Sequence, residues 1–330
     1  MTIFKAYEVS EIGEGQFRGE FKSKKFSDLP PGEVLVQVKY SSLNYKDVLS
    51  SQGNRGITKN YPHVLGIDAA GLVVESSVDN FAKGDEVIVT GYDLGMNTWG
   101  GFSEYIRVPA QWVVKKPSSM DLEYAMCIGT AGFTAGQCLL RMQDNGVVPG
   151  SGPILVTGAT GGVGSVAVVL LSHLGYEVVA ATRDLDQADF LTSCGASEVI
   201  NSKELCDDSS RPLLKSRWAG VVETVGGPLL ETAIRSTQRR AVITFCGMIA
   251  SPQLNTTVFP FILRGLRLIG IDSAECPLNQ KVQLWNLLAT TWKSPRLKNL
   301  EVLKSFDECP AQIELMSKGS HRGRIVFKIT

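Results

Sequence analysis

The sequence predicts an α/β protein in which a doubly wound parallel sheet follows a β-rich region. A chain of 330 residues exceeds the size at which a single hydrophobic core usually stops growing, so two domains are expected. The first third shows the apolar–polar alternation of half-buried strands, with glycine-rich loops between them. From about residue 124 short apolar strands alternate with helices, which favours a parallel sheet covered on both faces.

The elements follow one another in a simple order. Residues 32–40 (GEVLVQVKY) alternate apolar and polar side chains and predict the first half-buried strand. Further strands are predicted at residues 69–75, 85–89, 154–157, 177–181, 220–224, 241–246, 267–271 and 324–329. Helices are predicted at residues 164–174, 187–193, 229–237 and 280–292. The sequence contains neither an internal repeat nor a low-complexity segment.

Charge and composition restrict the partners and the compartment. The 33 lysines and arginines balance 33 aspartates and glutamates, so neither nucleic acid nor a membrane is expected as principal partner. The N-terminal segment lacks the apolar core of a secretory signal, and the most apolar stretch, residues 165–171, is too short to span a bilayer. The seven cysteines include no C-x-x-C pair, which favours reduced thiols. We therefore expect a cytoplasmic protein.

The strongest motif lies at residues 154–171 (ILVTGATGGVGSVAVVLL), where a buried strand runs into a glycine-rich turn that opens a helix. Gly161 and Gly162 allow the backbone to approach a pyrophosphate, and Gly164 allows close packing of helix and sheet. Amides at the helix N-terminus can donate hydrogen bonds to phosphate oxygens. The motif predicts a dinucleotide site formed by Gly158, Thr160, Gly161, Gly162, Val163 and Gly164. The alternative is a structural turn without a ligand.

The end of the next strand indicates the form of the cofactor. NAD-binding proteins usually place Asp or Glu there, where the carboxylate holds the ribose 2′-hydroxyl. This strand ends instead in Thr182 and Arg183, with no acid before Asp184. A hydroxyl followed by a guanidinium suits a 2′-phosphate, which arginine binds through charge-assisted hydrogen bonds. We therefore predict NADPH; the alternative is that Arg183 is merely a solvated residue at a helix start.

Seven short motifs carry a family resemblance. They are residues 41–47 (SSLNYKD), 62–71 (PHVLGIDAAG), 97–104 (NTWGGFSE), 129–134 (GTAGFT), 218–226 (WAGVVETVG), 259–264 (FPFILR) and 323–324 (GR). With them the chain resembles the medium-chain dehydrogenase/reductase superfamily, within it the quinone oxidoreductase branch, and most closely the acrylyl-CoA reductase group. The resemblance covers nearly the whole chain. It implies a Rossmann cofactor domain at residues 125–274, inserted into a β-rich GroES-like catalytic domain formed by residues 1–124 and 275–330.

The chain departs from the zinc alcohol dehydrogenases of this superfamily. Asn44 stands where those enzymes have a cysteine ligand of the catalytic zinc, and Ile67 stands where they have a histidine. The four-cysteine lobe that binds their structural zinc is also missing, since residues 92–101 contain no cysteine. A structural zinc site normally needs four Cys or His ligands and a catalytic site three. We therefore expect no metal.

Without a zinc ion the resemblance implies reduction of an activated double bond. Hydride from NADPH would reach the β-carbon of an α,β-unsaturated carbonyl, with a small enoyl thioester such as acrylyl-CoA as the expected substrate. Tyr45 and Asn44 are the candidate catalytic residues: Tyr45 would contact the cofactor or donate to the developing enolate, and Asn44 would hydrogen-bond in the cleft. The alternative for Tyr45 is packing, and Asp47 is expected to cap its loop.

Further cofactor contacts are expected from two sources. The resemblance implies contacts from Thr130, Thr134, Thr224, Gly226 and Arg324, the last to the cofactor or a substrate phosphate. Cys246, Gly247 and Met248 follow a strand at its carboxyl end, where ligands of open α/β sheets bind. A nucleophilic role for Cys246 is not expected, because hydride transfer needs no covalent intermediate.

Two other functions and two assemblies stay open at this point. A quinone in place of the enoyl thioester would need the same fold and cofactor, and a protein that binds NADPH without turnover is the alternative of another class. A homodimer is expected because the apolar strand at residues 267–271 ends the sheet and would pair across a two-fold axis. The alternative is a monomer in which residues 259–263 fold over that edge.

Overall fold

The computed structural model describes residues 3–330, which contain sixteen strands and eight α-helices. The strands are β1 (Ile3–Gly13), β2 (Gln16–Lys25), β3 (Val34–Ser42), β4 (His63–Val64), β5 (Asp68–Ser76), β6 (Glu86–Thr90), β7 (Tyr105–Val108), β8 (Val113–Lys115), β9 (Ile154–Val156), β10 (Val178–Thr182), β11 (Glu198–Asn201), β12 (Trp218–Glu223), β13 (Thr237–Phe245), β14 (Arg267–Gly270), β15 (Glu301–Ser305) and β16 (Arg324–Lys328). The helices are α1 (Tyr45–Ser51), α2 (Leu122–Asp144), α3 (Gly162–His173), α4 (Ala188–Cys194), α5 (Gly227–Ser236), α6 (Phe259–Arg264), α7 (Leu278–Ala289) and α8 (Cys309–Ser317).

The chain divides into two compact units. Unit 1 consists of the described residues up to Thr130 together with Ser273–Thr290 and Glu301–Thr330, and unit 2 consists of Ala131–Asp272 and Thr291–Leu300. The last of these segments lies inside the C-terminal stretch that the resemblance assigned to the other domain. It belongs to unit 2 because its short 3-10 turn, Pro295–Leu300, packs against α3 and α4 and buries two leucines.

Unit 1 is rich in strands. A seven-stranded sheet has the order β15-β16-β3-β5-β6-β8, with β7 pairing beside β3, and a three-stranded sheet has the order β2-β1-β4. Apolar side chains of β3 point alternately inward, so that Val34, Val36 and Val38 join the hydrophobic core of the unit. The antiparallel register of β5 and β6 places Asp68 opposite Thr90. That pairing positions the start of β5 for the site described below.

Unit 2 is built around a six-stranded sheet in which every neighbouring pair is parallel. Its strand order is β11-β10-β9-β12-β13-β14. From β9 the next two strands are added on one side and the later strands on the other side, so the strand order reverses between β9 and β12. Such a reversal defines the ligand-binding end of a doubly wound sheet. Helix α3 buries every side chain from Ser165 to Leu171, as its all-round apolar sequence requires. The predicted fold class is confirmed.

No helix among residues 3–330 is both long enough and apolar enough to cross a bilayer.

Candidate functional site

The glycine-rich turn of unit 2 joins β9 to α3. Gly161 is the N-cap of α3, and no side chain caps this helix end. The amides of its first turn therefore lack an intrahelical acceptor and can donate to an anion. A Cβ at Gly164 would overlap the carbonyl oxygen of Gly158 and lie 2.8 Å from the Cα of Ala159. Because both obstacles are backbone, only glycine lets the helix start this close to the strand.

The buried carboxylate of Glu223 forms hydrogen bonds next to the glycine-rich turn. Glu223, at the end of β12, accepts hydrogen bonds at 3.0 Å from Thr157 Oγ1 and from the amides of Val225 and Gly226. Thr224 Oγ1 donates to the Thr157 carbonyl at 2.8 Å and the Thr224 amide donates to Thr157 Oγ1 at 2.9 Å, so several hydrogen bonds link the ends of β9 and β12. Burial raises the pKa of Glu223. Sequence analysis did not identify Glu223, although an acid at the end of a buried strand was a usable signal.

The end of β10 carries the two residues predicted at the 2′-phosphate. Thr182 is buried, and its Oγ1 lies 3.2 Å from both the amide and the carbonyl oxygen of Asp184. The Asp184 carboxylate accepts from the amide of Asp186 at 3.0 Å. Arg183 is exposed, and no acidic side chain among residues 3–330 forms an ion pair with it. Its guanidinium is therefore available to a ligand.

The stretch after β13 borders a cavity of about 530 Å³ in unit 2. Cys246, Gly247 and Met248 line this cavity together with Gly226. Hydrogen bonding to Cys138 and burial raise the pKa of the Cys246 thiol well above its usual value. A thiol that stays protonated is a poor nucleophile, which agrees with the absence of a covalent role in the expected chemistry.

Unit 1 contains a buried polar cluster centred on Asp68. The side chain of Asp68 is fully buried, and its Oδ2 accepts from Ser42 Oγ at 2.6 Å, from Asn44 Nδ2 at 2.7 Å and from the amide of Thr130 at 2.9 Å. The other oxygen, Oδ1, accepts from Thr130 Oγ1 at 2.5 Å. Four donors therefore converge on one carboxylate, as a buried charge requires.

Arg324 completes this cluster. It is 2% exposed, and its Nη2 lies 3.9 Å from Asp68 Oδ2 and donates to Ser42 Oγ at 3.0 Å. Its Nη1 donates to Asn44 Oδ1 at 3.3 Å. Gly129 interrupts α2 at φ +50° beside this pair, and a Cβ there would lie 2.5 Å from Asp68 Oδ2. Only glycine allows the backbone to come this close to Asp68. The contact of Arg324 with a cofactor stays a prediction.

The loop after β3 is held by a second carboxylate. Asn44 and Asp47 form a capping box at the start of α1, in which Asp47 accepts from the amide of Asn44 at 2.8 Å. Asp47 also accepts from the amides of Gly66 and Ile67, at 3.1 and 3.0 Å. Burial raises its pKa to about 7. Asp47 thus caps its loop as expected, and it also holds the segment that enters β5.

Tyr45 is the first residue of α1 and is 47% exposed. Its hydroxyl makes no hydrogen bond to the part of the chain that the structure describes. The side chain adjoins Asn44, whose amide group is engaged on both its oxygen and its nitrogen. Of the two candidate catalytic residues, Tyr45 is therefore the one whose polar group can serve a ligand.

Two known domain families match the chain. Residues 30–118 match the alcohol dehydrogenase GroES-like domain, and residues 162–289 match the zinc-binding dehydrogenase domain. The chain is 40% identical over 331 residues to the putative quinone oxidoreductase YhfP of Bacillus subtilis, covering 99% of each protein. It is 40% identical over 328 residues to the acrylyl-CoA reductase AcuI of Ruegeria pomeroyi, again covering 99% of each. The chain belongs to the medium-chain dehydrogenase/reductase superfamily.

Solved structures of this superfamily match the whole fold. Escherichia coli YhdH with bound NADPH has a TM-score of 0.94 and 40% identity, covering 98% of this chain and all of that one. Bacillus subtilis YhfP with bound NAD has a TM-score of 0.97 and 39% identity, covering all of both chains. These matches confirm the resemblance found in the sequence motifs.

One of the two matching domains is named for zinc, but the side chains of unit 1 do not fit that metal. Asn44 is committed to Asp68 and Arg324, and Ile67 offers no ligand atom. The guanidinium of Arg324 already places a positive charge beside Asp68. Among residues 3–330 no group of three or more His, Cys, Asp or Glu side chains is arranged to hold a metal ion. We derive no step through zinc.

Replacing Tyr45 by phenylalanine tests its role directly. The substitution removes a hydroxyl that is exposed and keeps the ring, so the melting temperature should change little. We expect kcat/KM for reduction of the expected enoyl thioester to fall ten- to a hundredfold, which corresponds to about 1.4–2.7 kcal/mol of transition-state stabilisation. Steady-state kinetics and thermal melting measure the two effects separately. A variant that melts early but keeps its kcat/KM would assign Tyr45 to packing instead.

Proposed function

We propose that this NADPH-dependent oxidoreductase reduces the carbon–carbon double bond of a small enoyl thioester, with acrylyl-CoA as the model substrate. The observation that carries the proposal is the buried Asp68–Arg324 pair, which stands with Asn44 where zinc-dependent relatives bind their metal. Alcohol oxidation needs a group that stabilises an alkoxide, whereas an enoyl thioester is already electrophilic at its β-carbon. The 40% identity to an acrylyl-CoA reductase supports the same substrate class.

Unit 2 supplies the cofactor site in this proposal. The amides at the start of α3 bind the pyrophosphate, and Gly158, Thr160, Gly161, Gly162, Val163 and Gly164 form the turn around it. Thr182 shapes the end of β10, and the exposed guanidinium of Arg183 binds the 2′-phosphate. Thr134, Thr224, Gly226, Cys246, Gly247 and Met248 complete the set of contacts. When bound, NADPH supplies the hydride.

Unit 1 supplies the groups that serve the substrate. Negative charge develops on the thioester oxygen as hydride reaches the β-carbon, so a donor aimed at that oxygen accelerates the step. The α-carbon then takes a proton that originates in water, which gives the saturated thioester. Tyr45 is the candidate for this role, because its side chain is 47% exposed. Asn44, Thr130 and Arg324 keep the Asp68 cluster in place beside it and so fix the start of α1.

Quinone reduction is the second candidate, because the relative YhfP is named a putative quinone oxidoreductase. A quinone and an enoyl thioester differ in their product: only the thioester gains a carbon–hydrogen bond at its β-carbon. The distinction therefore rests on which acceptor is turned over efficiently and on what is formed from it.

The test is an NADPH-oxidation assay in chelator-treated buffer that compares acrylyl-CoA with a simple benzoquinone. We expect kcat/KM to be higher for acrylyl-CoA, with one saturated thioester formed for each NADPH consumed, as measured by mass spectrometry. Turnover of the quinone alone would replace the substrate in this proposal. Stoichiometric NADPH binding in a calorimeter without oxidation by either acceptor would indicate a binding protein.

We further propose that the enzyme is a homodimer paired through β14. This strand ends the sheet of unit 2, and the nearby helix α6 leaves Ile262 73% exposed. Because the amide of Ile271 donates to Phe245 in β13, the amide of Gly270 faces away from β13, toward the edge. Light scattering at micromolar concentration should give the mass of a dimer for the wild type and of a monomer for Gly270→Pro. A monomeric wild type would exclude the pairing.

We also propose that the enzyme is cytoplasmic. All seven cysteines lie in the described part of the chain, and none of them forms a disulfide. Thiols that stay reduced are typical of reducing compartments.

A further inference from the structure

Lys281 is a buried lysine that the proposed mechanism has not used. It is 1% exposed and lies on α7, where it shares one face with Leu284, Trp285 and Leu288. A lysine on the apolar face of a helix is unusual, because burying an ammonium is costly unless charged or polar groups compensate it. That spacing was a signal in the sequence that the sequence analysis did not use.

The ammonium of Lys281 has a fixed place in unit 1. Its Nζ donates to the Thr90 carbonyl at 2.6 Å and lies 3.8 Å from the centroid of the Tyr92 ring. The ring of Tyr92 also stacks on that of Trp112, with the two centroids 5.7 Å apart and the rings nearly parallel. Tyr92 Oη donates to the Cys276 carbonyl at 3.0 Å. These two contacts help to hold the aromatic ring next to the ammonium.

The register of the sheet brings this charge to the Asp68 cluster. Thr90, which accepts the hydrogen bond from Lys281, is the partner of Asp68 in the β5–β6 ladder, and the Lys281 and Asp68 charges attract one another. Two cations, Lys281 and Arg324, therefore lie near the Asp68 carboxylate, and the Asp47 carboxyl is a second acidic group beside Asp68 and Arg324. Protonated Lys281 adds positive charge to this group of side chains.

We propose that Lys281 is a positioning residue that supplies positive charge to the Asp68 cluster and so stabilises the negative charge that develops on the thioester oxygen. The inference rests on the proposed enoyl thioester reductase and deepens it. Lys281 acts through Thr90 and Asp68 rather than by touching the substrate. In a water-poor interior a charge acts over a longer distance than it does in water, so direct contact is not required.

The proposal implies a pH dependence with a definite sign. Burial lowers the pKa of Lys281 to about 8 from its usual 10.5, while Cys276, Asp68 and Glu275 raise it. The Tyr92 ring and the Thr90 carbonyl also face the ammonium. As the pH rises through about 8, Lys281 loses its proton and the cluster loses one positive charge. We therefore expect kcat/KM to fall about tenfold over this range.

The experiment compares the pH profile of kcat/KM for acrylyl-CoA in the wild type, Lys281→Met and Lys281→Arg, with the surface variant Lys318→Met as a matched control. Methionine keeps the apolar stem and should lower kcat/KM about tenfold at pH 7, leaving no decline near pH 8. Arginine stays charged, so its plateau should extend to higher pH. Lys318 is exposed and pairs with the exposed Glu314, so its variant should follow the wild-type profile.

The pH profile, read beside thermal melting, separates this role from a structural one. Lys281→Met leaves the buried Thr90 carbonyl without its donor, so it should melt somewhat earlier than the wild type at pH 7, but a purely structural role would not remove the decline near pH 8. If the arginine variant does not fold, the methionine variant decides alone. A wild-type profile retained in Lys281→Met, with its rate and its decline near pH 8, would overturn the inference. A wild type that reduces no enoyl thioester would instead overturn the proposed function, and this inference with it.

Discussion

Arg324→Met is expected to lower the free energy of unfolding by about 3–5 kcal/mol, because it removes the guanidinium that lies 3.9 Å from the buried carboxylate of Asp68. Arg324 is 2% exposed and also donates to Ser42, to Asn44 and to the Cys127 carbonyl, so these acceptors lose their donor as well. Methionine retains most of the volume of the side chain, so that the loss reflects charge and hydrogen bonding rather than a cavity. Denaturant unfolding measures the effect.

The double variant Asp68→Asn with Arg324→Met is the control for this interpretation. If the two charges stabilise one another, the double variant should lose clearly less than the sum of the two single losses. If the loss in the double variant equalled the sum of the two single losses, the guanidinium would contribute without an interaction with Asp68. An Arg324→Met protein as stable as the wild type would contradict the account of the cluster altogether.

Arg183→Ala is expected to reduce kcat/KM for NADPH roughly ten- to a hundredfold and kcat/KM for NADH much less. The loss for NADPH corresponds to about 1.5–3 kcal/mol of transition-state stabilisation. The guanidinium is exposed at the end of β10 and is not engaged by any acidic side chain of the described chain, so alanine removes only its contact with a ligand. The nearest acid along the chain, Asp184, uses its side chain for local hydrogen bonds. Steady-state kinetics with both cofactors gives the ratio.

The comparison of cofactors matters because the related structures differ. YhdH of Escherichia coli was solved with NADPH, and YhfP of Bacillus subtilis was solved with NAD. Equal losses for NADPH and NADH in Arg183→Ala would show that Arg183 does not select the 2′-phosphate. The wild type itself should prefer NADPH in the same assay.

The parts of the fold with strong local patterns were predictable. The β9 strand and α3 helix lie within residues 154–174, where an apolar run and a glycine turn are contiguous in sequence. Other elements lack such patterns. Strand β2 is mostly exposed, so it shows little apolar alternation, and α2 contains Gly129 in a non-helical conformation. Neither element was predicted.

The polar cluster of unit 1 could not be predicted as a cluster. Asn44 was selected and Arg324 was expected to contact the cofactor or a substrate phosphate, but their common partner Asp68 was not identified. Asn44 follows β3, Asp68 begins β5 and Arg324 begins β16, so the three residues are far apart in the chain. The pairing of β3 with β5 and with β16 brings them together. Lys281 differs, since its place among apolar residues of α7 was a local signal, but its proximity to Asp68 depends on the pairing of β5 with β6. Sheet pairing between distant segments leaves no local sequence signal.

The central claim is that the protein transfers hydride from NADPH to the β-carbon of an enoyl thioester without zinc. The most direct measurement is the position of deuterium in the product after reaction with acrylyl-CoA and NADPH deuterated at the transferable position, in ordinary water and with chelator present. The account predicts a saturated thioester with one deuterium at the β-carbon and none at the α-carbon. Oxidation of the cofactor without a deuterated thioester, or a reaction that stops when zinc is removed, would contradict it.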